Sequence, residues 1–166
     1  MATSGARRRD DDSQPTRRKT ALRHSAPIGV LGGTFDPIHY GHLRPALELL
    51  EALALAEVRF IPCRLPAHRG APAITPEQRL ELVRLATADQ PGFVADDREL
   101  RRPGRSYMVD TLASLRQDLG ETPLCLILGG DAFAALHTWR RWEDLSKLAH
   151  FIVMQRPGAA QPLPPV

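Results

Sequence analysis

Two histidines, His39 and His42, end the segment Gly-Gly-Thr-Phe-Asp-Pro-Ile-His-Tyr-Gly-His. The glycines that open it, Gly32 and Gly33, have no Cβ, so the backbone beside them can approach a ligand closely. Two neighbouring imidazoles can donate hydrogen bonds to an anion or ligate a metal ion. The residue types therefore predict a site for either a phosphate or a metal.

Pro45 indicates where the following helix begins. Proline is tolerated in the first turn of a helix, where its missing N–H has no partner to lose. We therefore expect the helix to start near Gly41 or His42. His42 would then lie beside unpaired N–H groups and the positive end of the helix dipole. Such a helix start binds anions, which favours a phosphate site.

Other sites are less well supported by this segment. It is neither the dinucleotide fingerprint G-x-G-x-x-G nor a Walker loop, since Gly-Lys-Ser/Thr is missing. Zinc at His39 and His42 would need further ligands, and the available side chains match no known zinc spacing. Those side chains are Asp36, His68 and His137. We therefore predict no protein-held metal.

Apolar runs and helical spacing alternate along the chain that must position this segment. A short run, Ile28–Leu31, ends at the glycine pair. A Thr-Pro-Glu-Gln capping box at 75–78 starts one later helix. Ser106 is a candidate cap for another helix, which ends before Gly120. Further strands are predicted at Glu57–Ile61, Phe93–Ala95, Leu124–Leu128 and Phe151–Met154.

This alternation predicts an α/β fold with a Rossmann-like, doubly wound parallel sheet of about five strands. Strand, helix and strand connect parallel neighbours by right-handed crossovers. Such sheets bind ligands outside the carboxyl ends of their strands. The histidine segment follows the first strand and is therefore expected at that edge.

Charge and composition limit the function classes. The 166 residues carry a net charge of +3, but residues 1–25 hold seven basic and three acidic groups. The rest is close to neutral, which argues against a general nucleic-acid surface. We predict a disordered basic tail at 1–26, one α/β domain at 27–156 and a proline-rich tail at 157–166. The chain shows no membrane span or secretory signal, so a cytoplasmic location is expected.

The segment resembles the nucleotidyltransferase motif of the adenylyl- and cytidylyltransferase superfamily, and most closely that of bacterial nicotinate-nucleotide adenylyltransferases. The resemblance runs from about Ile28 to Gly158. Five further motifs are similar: Pro66-Ala67-His68-Arg69, Ser106-Tyr107 with Thr111-Leu112, Gly129-Gly130-Asp131, Thr138-Trp139, and Arg156-Pro157-Gly158. Met108 stands where that family usually has Thr.

The resemblance implies adenylyl transfer from ATP to nicotinate mononucleotide, with Mg²⁺, giving deamido-NAD and pyrophosphate in NAD biosynthesis. It implies that His39 and His42 act on the triphosphate. The implied ATP-binding residues are Gly32, Gly33, Thr34, Phe35, His68 and Arg69. The implied substrate-binding residues are Ser106, Tyr107, Thr111, Gly129, Asp131, Trp139 and Arg156.

Several alternatives stay open. Asp131 could cap a helix as well as bind ribose, and Trp139 could serve packing alone. The family's downstream Ser-Thr-x-x-Arg motif has no counterpart after Arg156. The chain could therefore be a shortened, catalytically impaired nucleotide-binding homologue. Another adenylyltransferase, such as phosphopantetheine adenylyltransferase, is a further alternative. The pyridine preference and the oligomeric state are not determined by these residues.

Overall fold

The computed structural model describes residues 25–66 and 70–155. Five strands form a single parallel sheet in the order β3-β2-β1-β4-β5. The strands are β1 (Ile28–Gly33), β2 (Glu57–Pro62), β3 (Phe93–Ala95), β4 (Leu124–Gly129) and β5 (His150–Met154). The predicted doubly wound sheet of about five strands is confirmed.

Six α-helices and one short 3₁₀ helix connect these strands in the described residues. The helices are α1 (Tyr40–Ala52), α2 (Pro76–Thr87), α3 (Arg98–Arg101), α4 (Met108–Leu119), α5 (Gly130–Ala134) and α6 (Trp142–Leu148), with the 3₁₀ helix at Leu136–Thr138. Among the described residues, no helix has the length and apolarity needed to cross a membrane. The predicted bounds of 1–26, 27–156 and 157–166 stay a prediction, because most of both tails lies outside the described residues.

The core consists of two apolar layers on opposite faces of the sheet. Val30 of β1 packs with α4 and α6, whereas its neighbour Leu31 packs with α1 and α2. Leu126 and Ile127 of β4 divide between the layers in the same way. Successive strand residues point to opposite faces, so a strand covered on both sides is apolar at nearly every position.

The connections leave β1 and β4 in opposite directions across the sheet. After β1 the chain passes through α1 and forms β2 on one side of β1. After α4 the chain forms β4 on the other side of β1. The strand order therefore reverses between β1 and β4. In open α/β sheets a crevice for ligands forms at this reversal, beyond the carboxyl ends of the two strands.

The structure differs from the sequence analysis at three local points. Helix α1 starts at Tyr40, so Pro45 lies in its second turn and not in its first. The cap of α4 is Tyr107 and not Ser106. The short helix α3, which follows β3, was not predicted at all. By contrast, the predicted capping box of Thr75 and Gln78 is present at the start of α2.

Candidate active site

His39 and His42 cap the start of helix α1 reciprocally. The backbone N–H of Gly41 donates to Nδ1 of His39 at 3.0 Å, and the backbone N–H of His39 donates to Nδ1 of His42 at 3.4 Å. An Nδ1 that accepts a hydrogen bond carries no proton, so the proton of each neutral ring is on Nε2. In each neutral ring Nδ1 therefore serves the cap and Nε2–H is the hydrogen-bond donor.

The two imidazoles also lie against each other and against Phe35. The ring centroids of His39 and His42 are 4.0 Å apart. The ring of Phe35 meets that of His42 edge-on, at 5.2 Å between centroids and an angle of 82°. Phe35 is only 3% exposed. The resemblance implies that Phe35 binds ATP, and in the structure its side chain joins the histidine pair to the core.

Gly32, near the end of β1, is also close to a side chain from another element. A Cβ on Gly32 would overlap the terminal methyl of Met108. Met108 opens α4 and stands where the related motif usually has Thr. The side chain of Met108 therefore occupies part of the space that the missing Cβ of Gly32 leaves. This contact joins the end of β1 to the start of α4.

Two side chains outside the predicted set fix the loop that follows β1. Arg79 of α2 donates from Nη1 to the carbonyl oxygen of Thr34 at 2.6 Å. The carboxylate of Asp36 accepts from the backbone N–H of Ala73 at 2.7 Å. Asp36 could have been suspected from its place in the motif. Arg79 could not, because it comes from a helix 45 positions further along the chain.

Ser106 and Tyr107 form a second group, immediately before α4. The hydroxyl of Ser106 accepts from the backbone N–H of Arg64 at 2.9 Å, and its own N–H donates to the carbonyl of Leu65 at 3.0 Å. The guanidinium carbon of Arg140 lies 4.7 Å from the centroid of the Tyr107 ring. This group is therefore tied both to the residues after β2 and to those after the 3₁₀ helix.

Thr111 is fully buried one turn into α4. Its hydroxyl donates to Glu99 and accepts from a guanidinium N–H of Arg102 at 2.9 Å. Burial raises the pKa of Glu99, although hydrogen bonds from Thr111 and Ser106 and the charge of Arg102 act in the opposite direction. The direct contact of Thr111 with a substrate stays a prediction. The contacts of Thr111 connect Glu99 to the Ser106 group. The sequence analysis did not predict a role for Glu99.

Gly129, Asp131 and Trp139 form a third group, after β4. Gly129 ends the strand and is itself the cap of α5. Asp131 is the exposed second residue of that helix, so the alternative that it acts as the helix cap is wrong. Trp139 directly follows the 3₁₀ helix and packs, partly buried, against the core layer of α4 and α6.

These groups lie at the same edge of the sheet. The glycine pair ends β1 and Gly129 ends β4, and these two strands are hydrogen-bonded neighbours. Both therefore open onto the crevice where the strand order reverses. His68, Arg69 and Arg156, the remaining predicted residues, lie outside the described residues.

The described part of the chain holds no candidate metal centre. Residues 25–66 and 70–155 contain no group of three or more His, Cys, Asp or Glu side chains that could hold an ion. The donors gathered at the edge of the sheet are N–H groups, which suit anions. The arrangement can therefore hold a phosphate chain against the start of α1.

Comparison with known proteins identifies the family. A family profile described as "Cytidylyltransferase-like" matches residues 30–165. The chain belongs to the cytidylyltransferase-like family.

Curated relatives of this cytidylyltransferase-like chain carry a more specific name. A protein of Halorhodospira halophila, "Probable nicotinate-nucleotide adenylyltransferase", is 59% identical over 137 residues, which are 82% of this chain and 63% of the relative. A protein of the same name from Aeromonas salmonicida is 55% identical over 80% of this chain and 62% of its own length. The chain thus spans a little over three fifths of the length of these relatives.

Solved structures share the fold of this cytidylyltransferase-like domain. The Plasmodium falciparum nicotinic acid mononucleotide adenylyltransferase complexed with NaAD aligns with a TM-score of 0.67. The alignment covers 81% of this chain and 77% of that one, at 16% identity. The same enzyme complexed with APC aligns with a TM-score of 0.63 at 15% identity. At these identities the likeness concerns the fold.

Proposed function

We propose that this chain forms the nucleotide-binding part of an enzyme that transfers adenylyl from ATP to nicotinate mononucleotide. The products are deamido-NAD and pyrophosphate, in NAD biosynthesis. One observation carries the proposal: His39 and His42 cap α1 reciprocally through Nδ1, so the proton of each neutral ring is on Nε2, in the segment that follows β1. The names of the relatives support the choice of nucleotide.

The reaction needs positioning and charge stabilisation more than acid–base chemistry. A phosphate oxygen of the mononucleotide attacks the α-phosphorus of ATP in line. The new P–O bond forms as the bond from the α-phosphorus to the bridging oxygen breaks, and pyrophosphate leaves with that electron pair. His39 and His42 donate to the phosphate oxygens on which negative charge develops. Donors of this kind are typically worth about 10²–10³ in rate each.

The backbone at the end of β1 is proposed to complete the ATP site. Gly32 and Gly33 are proposed to contribute backbone, although the side chains of Met108 and Phe35 occupy the space where their Cβ atoms would stand. Thr34 and Phe35 contribute backbone groups. His68 and Arg69 are proposed to add positive charge over the phosphates. Mg²⁺ is proposed to arrive with ATP and to be held mainly by the phosphate oxygens, so that it neutralises part of their charge. These assignments come from the motif.

The mononucleotide is proposed to bind on the side of β4. The backbone N–H of Tyr107 would bind the nicotinate carboxylate, whereas that of the predicted residue Ser106 donates to the carbonyl of Leu65, so Ser106 would hold this segment in place. The ring of Trp139 would stack on the pyridine. Asp131 and Gly129 would lie at the ribose, and Arg156 would face the phosphate. Thr111 is proposed to act indirectly, through its contact with Glu99. The cytoplasm is the proposed location of the reaction.

Pyrophosphate release from ATP tests the proposal. The purified chain should release pyrophosphate with nicotinate mononucleotide, and mass spectrometry should detect deamido-NAD. Nicotinamide mononucleotide and phosphopantetheine, offered separately, test the choice of acceptor. Faster turnover with either one would replace the proposed substrate.

The same assay separates turnover from binding alone. ATP binding without pyrophosphate release from any of the three acceptors would support the alternative of a nucleotide-binding homologue without catalysis. The chain covers 63% of the Halorhodospira halophila relative, so the assay is made on this chain itself.

A further inference from the structure

Arg79 is a fully buried arginine that reaches from α2 to the ends of β1 and β2. Its side chain has no exposed surface. Nη1 donates to the carbonyl oxygen of Thr34 at 2.6 Å and lies 3.8 Å from Sγ of Cys63. Nη2 donates to the carbonyl oxygen of Arg64 at 3.2 Å. One guanidinium thus joins the loop after β1, which carries the histidine motif, to the loop after β2.

The charge of Arg79 has no carboxylate partner among the described residues. None of the ion pairs found in 25–66 and 70–155 includes it, and its buried Nε has no hydrogen-bond partner there. Other poorly exposed arginines are paired, such as Arg59 and Arg98 with Asp96. An uncompensated buried charge is costly, because carbonyl dipoles replace only part of the lost hydration.

The contact with Thr34 also sets the direction of a peptide group. The Thr34–Phe35 peptide is trans, so its carbonyl and its N–H point in opposite directions. Arg79 holds the carbonyl, and the N–H of Phe35 is therefore directed away from Arg79. Phe35 has a left-handed backbone, with φ of 49°, which is unfavourable for a bulky residue and needs support from its surroundings.

We propose that Arg79 is a positioning residue of a polyphosphate site. It orients the Thr34–Phe35 peptide for an anion, and its charge is balanced when the polyphosphate chain binds. The inference rests on the proposed function for the identity of that polyphosphate, the triphosphate of ATP. The ligand class itself, a polyphosphate anion, follows from the buried charge and from the donors at the start of α1.

A purely structural role would have a different signature. If Arg79 only tied two loops together, its loss would lower the unfolding temperature with and without a ligand by the same amount. If the charge of Arg79 and its hydrogen bond to Thr34 serve anion binding, its loss must also reduce the rise in unfolding temperature that the anion causes. This rise is therefore measured for each variant against the same variant without ligand.

The experiment measures inorganic tripolyphosphate on the full chain by calorimetric titration and by thermal unfolding. Arg79→Met removes the charge and the donors at similar volume, and Arg79→Lys keeps the charge without the two-pronged geometry. Arg84→Met is the matched control. It removes one arginine of the same helix, whose side chain is 52% exposed and pairs with Glu81 and Asp97 at 3.7 Å.

We expect Arg79→Met to weaken tripolyphosphate binding at least tenfold and to lose most of the ligand-induced rise in unfolding temperature. Arg79→Lys should weaken binding at least threefold, and Arg84→Met less than twofold. Wild-type affinity in folded Arg79→Met overturns the inference, as does a wild-type chain that tripolyphosphate does not stabilise. If Arg79→Met does not fold, Arg79→Lys decides, and wild-type affinity there overturns the positioning role.

The outcome is separable from that of the proposed function. Arg79-dependent tripolyphosphate binding without pyrophosphate release from any acceptor would keep this inference and reject the proposed reaction. Pyrophosphate release with an unchanged KM for ATP and unchanged kcat in Arg79→Met would keep the reaction and reject the inference.

Discussion

The imidazole of His39 lies directly over Gly41, in the space that any side chain would need. A Cβ on Gly41 would stand 2.8 Å from Cε1 and 2.9 Å from Nδ1 of that ring, which is closer than such atoms pack. The same Gly41 donates its N–H to Nδ1 of His39 at 3.0 Å. The glycine between the two histidines is therefore needed for close packing, and not for a special backbone conformation.

We expect Gly41→Ala to separate activity from stability. Alanine is favoured over glycine in a helix by about 1 kcal/mol, which offsets part of the cost of moving the ring. The displaced imidazole should lower pyrophosphate release by at least tenfold, while the unfolding temperature changes little. Tyr40→Ala, a change at the neighbouring side chain that is 84% exposed, is the control and should keep activity within twofold. Equal activity of the two variants would contradict the packing argument.

His42→Ala should lose about 10²–10³ in turnover and remain folded. The Nε2–H donor to the phosphates disappears, whereas the cap on Gly41 comes from His39 and is kept. Pyrophosphate release under saturating ATP measures the effect, and circular dichroism verifies the fold. Near-normal turnover in a folded variant would reject the assignment of His42 to the reaction.

His39 serves both the cap and the proposed chemistry, and two substitutions separate these roles. His39→Ala should lose activity and also about 1 kcal/mol of stability, because the N–H of Gly41 loses its acceptor. His39→Asn supplies a side-chain oxygen that can cap the helix, so it should recover the stability without the activity. If asparagine recovered both, the imidazole itself would be unnecessary.

Glu99 should make stability depend on pH in a direction opposite to that of an ion-paired carboxylate. Burial raises its pKa in the folded protein. The folded state then holds the proton more tightly than the unfolded chain does. The stabilisation is fully present below the pKa of the unfolded glutamate and is lost as the pH rises through the raised folded pKa.

Glu99→Gln should remove this dependence while keeping an acceptor for Thr111. The difference in free energy of unfolding, variant minus wild type, should move in favour of the variant as the pH rises from 4 toward 8. Urea unfolding at several pH values measures it, and the other titrating groups cancel in the difference. A difference that stays constant with pH would show that Glu99 keeps an ordinary pKa.

Local sequence patterns were sufficient to predict the elements that carry the site. Alternating apolar runs located all five strands, and the Thr75 capping box located the start of α2 because both partners lie within four residues. The glycine pair and His39 could be placed at the end of β1 for the same reason. These features depend on backbone geometry and on near neighbours.

The features that the sequence could not reveal depend on contacts between distant segments. Arg79 resembles any helical arginine until the fold brings it to Thr34. Thr111 and Glu99 become a buried pair only because α3, a helix too short for a periodic signal, packs beside α4. Pro45 shows a different limit. The rule that places proline in the first turn is a preference, and the reciprocal histidine cap starts α1 one residue earlier than we expected.

The cap of α2 provides a last prediction, because it supports the segment that carries Arg79. Thr75 accepts from the N–H of Gln78 at 3.2 Å, and the carbonyl of Thr75 accepts from the N–H of Arg79 at 3.0 Å. Thr75→Ala should cost about 1 kcal/mol of stability. It should also weaken tripolyphosphate binding slightly, by about twofold to threefold, since the first turn becomes less rigid under Arg79. Thr75→Ser keeps the hydroxyl and is the matched control. A stability loss with wholly unchanged tripolyphosphate affinity would show that Arg79 holds its position independently of the cap, so that the loop contacts alone fix the guanidinium.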